Sequence, residues 1–342
     1  LNVVLPPTFA FSYLHIFEFK MIPKSILVTG GSGFLGKAIV QRLALMGTCD
    51  LIVPLRTLAR VLPEGVKTVK ISDIDGQTDW GSLNNVDIVV HAAARVHKLH
   101  EQAADALSAF RAVNVEGTMN LARQAADRGV KRFIFISSIK VNGETTLMGK
   151  PYTADDIPAP KDPYGISKFE AEQGLKALAT ETEMEVVIIR PVLVYGPGVK
   201  ANFLSMMRWL DRAIPLPFGA VRNRRSLIYL DNLVDFVVTC LEHPAAANQT
   251  FLASDGDDVS TSELLRKIAG YLGKPARLLS IPVWVLSIVS TILGKRGLAQ
   301  RLFGSLQVDI SKNRQLLGWT PPVSLEQGLS LTAKYFLDSR KS

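Results

Sequence analysis

The heptapeptide Gly30-Gly31-Ser32-Gly33-Phe34-Leu35-Gly36 constrains this chain most, because it sits between the apolar run Ser25–Thr29 and the helical pattern Phe34–Met46. In a strand–loop–helix unit, Gly30 permits the tight turn, Gly33 lets backbone approach a pyrophosphate, and Gly36 packs helix on strand. A turn serving structure alone would not need three glycines. The spacing therefore predicts a dinucleotide site at the N-terminus of the first helix.

The pattern continues with runs that read as strands over 51–55, 66–71, 86–91, 132–137 and 186–190. Helical patterns over 103–128 and 164–180 lie between them, the first capped by Gly129. Near-continuous apolar strands alternating with helices predict an α/β, Rossmann-type, doubly wound parallel sheet. After Arg190-Pro191 the pattern changes to shorter helices and Pro- and Gly-containing stretches. The expected organisation is a foreign-looking leader over 1–20, a nucleotide-binding domain over 21–190, and a smaller, mainly helical substrate lobe over 191–337, in one compact body. Residues 1–20 lack the basic start and small-residue cleavage site of a signal peptide, and an upstream start or translated leader is the preferred reading.

Tyr164 and Lys168 stand four residues apart on a predicted helix and share one face. A free phenol titrates near pH 10, and a neighbouring ammonium is expected to bring it toward the working range. Beside a dinucleotide loop, this pair implies hydride chemistry on an alcohol or ketone by a nicotinamide-dependent enzyme. Ser137-Ser138 ends a strand, where such sheets place their ligand crevice, and a hydroxyl there can hold a substrate oxygen. The end of the second strand reads Ile52-Val53-Pro54-Leu55-Arg56, without the acidic residue that would bind the ribose of NAD. Arg56, helped by Arg60, thus favours NADP(H), with NAD(H) the other possibility.

Composition narrows the partners. The 342 residues carry 39 Lys and Arg against 31 Asp and Glu, a net charge of +8. The clusters Arg222-Asn223-Arg224-Arg225 and Lys295-Arg296 lack interleaved stacking aromatics, which argues against nucleic acid and for an anionic small substrate. Only Cys49 and Cys240 occur, which fits a reducing, cytoplasmic setting, and no metal is expected. The apolar run from Ile281 to Gly294 is too short to span a bilayer, so no integral membrane association is expected. A core helix is the preferred reading of that run, and peripheral membrane contact the minor one.

In order, these segments resemble the extended short-chain dehydrogenase/reductase superfamily, and within it the nucleotide-sugar epimerases, dehydratases and reductases. The matching stretches are Thr29–Gly36, His91-Ala92-Ala93-Ala94, Asn114–Thr118, Ser137-Ser138, Tyr164 with Lys168, and Arg190-Pro191, within a resemblance covering 22–337. The resemblance implies that Tyr164 is the acid/base, that Lys168 holds the nicotinamide ribose and lowers the phenol pKa, and that Ser138 polarises the substrate oxygen. It puts Gly30, Gly33, Phe34, Leu35, Ala92 and Ala93 at the cofactor, Asp73 at the adenine, and Asn114 behind the catalytic helix. It puts Asn202-Phe203 and Arg225 at the substrate's diphosphate and Phe218 beside its uracil, with Lys140, Asn142 and Arg301 also lining the UDP-sugar. A possible homodimer is a family expectation.

Two departures stand against a plain UDP-glucose 4-epimerase. Val141-Asn142-Gly143 replaces the usual Val-Tyr-Gly, and Leu302 and Ser305 stand where an Arg and an Asp are usual. The stretches 137–143, 217–226 and 304–309 look like bacterial enzymes of surface-polysaccharide (O-antigen) synthesis that reduce a UDP-4-keto-6-deoxy-N-acetylhexosamine to UDP-N-acetylquinovosamine. NADP(H) that exchanges freely suits a reductase, so Arg56 tips the leading expectation to a 4-keto reductase. The alternative is a UDP-glucose or UDP-N-acetylglucosamine 4-epimerase with retained NAD. A non-catalytic cofactor-sensing protein is disfavoured by intact Ser138, Tyr164 and Lys168.

Overall fold

The computed structural model describes residues 25–57, 62–96, 103–292 and 302–340. The proposed leader, Arg60 and Arg301 lie outside the described residues. The first strand β1 (Ser25–Thr29) runs into α1 (Phe34–Met46), followed by β2 (Asp50–Leu55), β3 (Lys67–Lys70) and β4 (Ile88–His91). Then come α2 (Ala103–Arg111), α3 (Thr118–Asp127), β5 (Arg132–Ile136), α4 (Pro163–Glu181) and β6 (Glu185–Pro191). The rest comprises β7 (Leu193–Tyr195), α5 (Ala201–Asp211), β8 (Arg225–Tyr229), α6 (Leu230–Glu242), β9 (Thr250–Ala253) and β10 (Asp258–Val259). It closes with α7 (Thr261–Tyr271), α8 (Val283–Ile292), α9 (Ser311–Leu317) and α10 (Leu325–Asp338).

Seven parallel strands form one sheet in the order β3-β2-β1-β4-β5-β6-β9. Strand order reverses between β1 and β4, which opens the crevice where doubly wound sheets bind ligands. Alternate residues of β1, β2, β4, β5 and β6 enter opposite apolar layers. Ile26 and Val28 join α1 and α6 on one face, while Leu27 joins α3 and α4 on the other. The expected parallel sheet is thus present.

The structure differs from the sequence reading in four places. The helix expected over 103–128 is broken by a widened, π-type turn over Ala112–Gly117. That turn presents Asn114 to two other segments, and such bulges recur where a side chain is used. Second, the chain does not leave the large sheet for good at residue 190. After β6 the segment α6–β9 returns, β9 pairing with β6 and α6 packing on α1. Third, the lobe has a small sheet of its own, β10-β8-β7, over a core that includes Phe203, Met207, Ile268, Leu329 and Phe336. Fourth, α8 is no core helix: none of its ten residues is buried.

The glycine loop is fixed by backbone contact. Gly33 N donates to Gly30 O at 2.8 Å, and a Cβ on Gly36 would lie 2.2 Å from that same oxygen. Gly36→Ala must therefore push α1 off β1. Overpacking of this kind costs roughly 1–3 kcal/mol, and urea unfolding should show that loss together with weaker cofactor binding. Parental stability would mean that the loop tolerates the displacement.

Candidate active site

At the switch point the glycine loop rests on the segment after β4. A Cβ on Gly30, which has φ +70°, would meet Ala93 N at 2.7 Å and Ala92 C at 2.8 Å. Ala93 N donates to Thr29 Oγ1 at 3.3 Å, and Thr29 in turn bonds buried His91, which reaches Thr118 through its other ring nitrogen. Burial, and then the positive Lys168, drive His91 down to about 3, so it is a neutral structural linker. The N-cap of α1 is Gly33, with no side-chain cap. Amides of the first turn, around Phe34 and Leu35, thus present their donors without competition from a capping side chain, as a pyrophosphate requires. The Phe34 ring itself packs toward the lobe core and Leu35 toward the sheet. These features fit a dinucleotide.

The strand-end residues behave differently from expectation. Arg56 Nη1 lies 3.5 Å from Asp73 Oδ1, and both side chains are exposed. A carboxylate therefore already accompanies the guanidinium expected to meet a 2′-phosphate, and Asp73 is tied both to Arg56 and to the Ile74 amide at 2.9 Å.

The catalytic candidates come together where β5 ends and α4 begins. Asp162 caps α4, its Oδ1 accepting from Gly165 N at 2.7 Å, and Pro163 fits the first helical position. Gly165 allows the close approach: a Cβ there would stand 2.9 Å from Lys140 O. The helix end carrying Tyr164 thereby packs on the 3₁₀ turn Ile139–Val141, whose N-cap is Ser138. Behind the helix, Asn114 Oδ1 accepts from Arg95 N at 2.8 Å, and its Nδ2 donates to Arg95 O at 3.1 Å and Ser167 Oγ at 3.0 Å. Asn114 thus links the β4 loop to α4.

The electrostatics reverse one expectation. The Tyr164 phenol is pushed up, not down, because burial disfavours the phenolate and Asp162 adds a negative field. Lys168 Nζ donates to Ile136 O at 2.9 Å and lies 4.3 Å from the Phe135 ring centroid. Burial drives this ammonium down to about 7, with Glu172 opposing. The other nearby ammonium, Lys140, is 5.8 Å from the Tyr164 ring centroid but is ion-paired with Asp162, which cancels most of its field.

Beneath these groups lies a network that sequence reasoning missed. Glu172 and Arg190 are each 1% exposed. Arg190 Nε and Nη2 donate to the two Glu172 oxygens at 2.9 and 2.5 Å, and Ser137 Oγ donates to Glu172 Oε1 at 2.5 Å. Arg190 Nη1 reaches Asn142 Oδ1 at 2.9 Å, and Asn142 Nδ2 donates to Thr153 O at 3.0 Å. Both ends of the Ser137–Asn142 turn are therefore anchored. Asn142, expected at the substrate, is buried and its amide is used in this anchorage. Glu172 stands four residues beyond Lys168 and eight beyond Tyr164, and that spacing was its available signal.

The expected substrate residues divide. Phe203 is buried and stacks on Tyr195 at 5.6 Å, so its ring is part of the lobe core. Asn202 is exposed on the first turn of α5. Arg225 is half-buried, with Nη1 donating to Gly304 O at 3.0 Å. Phe218 is half-buried and lies 6.0 Å from Phe303. Within the basic cluster, Asn223 binds Gly304 O and Thr261 N, and Arg224 pairs with Glu263 at 3.5 Å.

Residues 26–253 match the NAD dependent epimerase/dehydratase family. The chain belongs to this family. A UDP-glucose 4-epimerase of Vibrio cholerae is 50% identical over 322 residues, covering 94% of this chain and 98% of that protein. The crystal structure of a UDP-glucose 4-epimerase from Thermotoga maritima with UDP-glucose superposes with a TM-score of 0.72 at 26% identity, covering 92% of this chain and 99% of that one. A UDP-glucuronic acid 4-epimerase from Bacillus cereus in complex with NAD shares the fold, with a TM-score of 0.74 at 22% identity over 91% of this chain and 96% of that one. As an extended short-chain dehydrogenase/reductase, this family member carries Ser138 just after β5 and Tyr164 and Lys168 on α4, which packs there.

The depressed ammonium gives a pH test of the site. Between about 7 in the folded chain and 10.5 in the unfolded one, the unfolded chain holds one more proton. Lys168 therefore makes stability rise with pH across that window, by up to about 1.4 kcal/mol per unit. The stability difference between the parent and Lys168→Met, from urea unfolding without cofactor at about pH 7 and pH 9, should widen accordingly. A difference independent of pH would put Lys168 in water.

Proposed function

We propose that this chain is a UDP-glucose 4-epimerase that keeps NAD bound through turnover. The observation that carries the reading is the 50% identity, over almost the whole of both chains, to the Vibrio cholerae UDP-glucose 4-epimerase. It favours the epimerase alternative over the 4-keto reductase that the departures at Val141-Asn142-Gly143 suggested. The preference for NADP(H) loses its support as well. Arg56 is solvent-exposed beside Asp73, and the Bacillus cereus structure of the same fold holds NAD.

When bound, NAD supplies the reversible two-electron acceptor that inversion at C4 requires. Gly30, Gly33 and the first turn of α1 would hold its pyrophosphate, and Lys168 its nicotinamide ribose. Ser138 orients O4 of the sugar. Tyr164 takes the O4 proton as C4 becomes a ketone and returns it once the sugar has presented its other face. Proton transfer by a positioned side chain is worth about 10²–10⁴-fold in rate. Burial opposes formation of the phenolate, so any positive charge near Tyr164 assists that proton transfer. UDP would lie in the lobe, with Arg225 and Phe218 the residues assigned to it, and the reaction belongs in the cytoplasm.

The purified chain, given UDP-glucose and no added nicotinamide or reductant, should form UDP-galactose by NMR, and acid denaturation should release NAD. NADPH-dependent reduction of UDP-4-keto-6-deoxy-N-acetylglucosamine without any epimerisation would return the reductase reading.

A further inference from the structure

The helix α8 has the sequence VWVLSIVSTI, with no charged residue and no buried one. Trp284, Ile288 and Ile292 are 67%, 51% and 78% exposed, and their spacing of four places them in one outward stripe, with exposed Val289 alongside. A helix this apolar is normally enclosed by protein or lipid. Among the described residues no helix is long and apolar enough to cross a membrane. At 1.5 Å per residue α8 extends about 15 Å, half of a hydrocarbon core of about 30 Å.

The charge around it is one-sided. From Lys274 to Arg301 the sequence holds Lys274, Arg277, Lys295, Arg296 and Arg301 and no Asp or Glu. A second copy would bring a segment with the same exposed Lys274 and Arg277 and no acid, so charge gives it no complement here. An anionic lipid surface complements them instead. Apolar side chains with a Trp among them, flanked by Lys and Arg, match the chemistry of the headgroup boundary.

We propose that α8 is a docking helix that lies in the surface of an anionic phospholipid bilayer. Docking there acts on the substrate lobe directly. Leu279, itself exposed, accepts from Gly219 N at 2.9 Å and donates to Leu216 O at 2.8 Å. The strip carrying Phe218 is therefore held by the residues that lead into α8, and a docked enzyme presents that side of its lobe to the membrane.

The full chain should be floated with vesicles of phosphatidylcholine containing about 30% phosphatidylglycerol, and with pure phosphatidylcholine. The parent should float with the first and not the second, and raising salt from about 0.1 to about 1 M should release it as the Debye length falls from about 10 to about 3 Å. Trp284→Glu/Ile288→Glu, both at exposed positions, should cut partitioning at least tenfold while the thermal midpoint by circular dichroism stays parental. A parent that ignores anionic vesicles, or a variant that floats equally well, overturns the proposal. A parent dimer that does not float and falls to monomer in the variant overturns it too, because a second copy would then cover α8.

Discussion

The buried pair of Glu172 and Arg190 is the joint on which the site depends. Glu172 comes from α4, the helix of Tyr164 and Lys168, and Arg190 from β6, the strand after which the chain enters the lobe. Taking two charges out of water is repaid only if their remaining hydrogen-bonding capacity is used. Here it is, by Ser137 on one side and Asn142 on the other. Those two residues bracket Ser138 and Lys140, so the turn carrying these candidate residues is fixed by a buried pair beneath it. Removing one partner would strand a charge in the core, at a cost of about 3–5 kcal/mol.

The same burial explains the chemistry around Tyr164. A phenol and an ammonium placed together in water would assist each other simply, and that was the expectation from their spacing. In the folded chain burial dominates both groups, raising the phenol and lowering the ammonium. Asp162, which caps the helix, adds a negative field at the phenol and also pairs with Lys140. Burial, more than either group's field on the other, therefore sets both side chains.

The sheet was legible because strands buried on both faces leave continuous apolar runs, and the glycine loop was legible because only glycine meets its contacts. Tyr164, Lys168 and Asn114 fell where the motifs predicted. The π-type turn at Ala112–Gly117 was not legible, since its helical periodicity barely differs from that of the flanking turns. The return of α6–β9 to the large sheet depends on pairing across more than fifty residues, which local pattern does not encode. The burial of Asn142 and Phe203 was not legible either, because position in a motif says where the backbone goes and not how far the side chain is enclosed. Glu172 belongs to no motif, and only the fold brings Arg190 opposite it. The reaction type rested on Arg56, an exposed side chain, and exposed charges carry the least information about function.

The central claim is that the Glu172–Arg190 pair positions the catalytic turn and does not merely hold the chain folded. The direct measurement is steady-state epimerisation by the double variant Glu172→Met/Arg190→Met, which leaves no stranded charge in the core. The account predicts a folded enzyme whose kcat falls at least about tenfold with KM little changed, because ground-state binding survives while Ser138 and Lys168 lose their alignment. A folded double variant with parental kcat would contradict it.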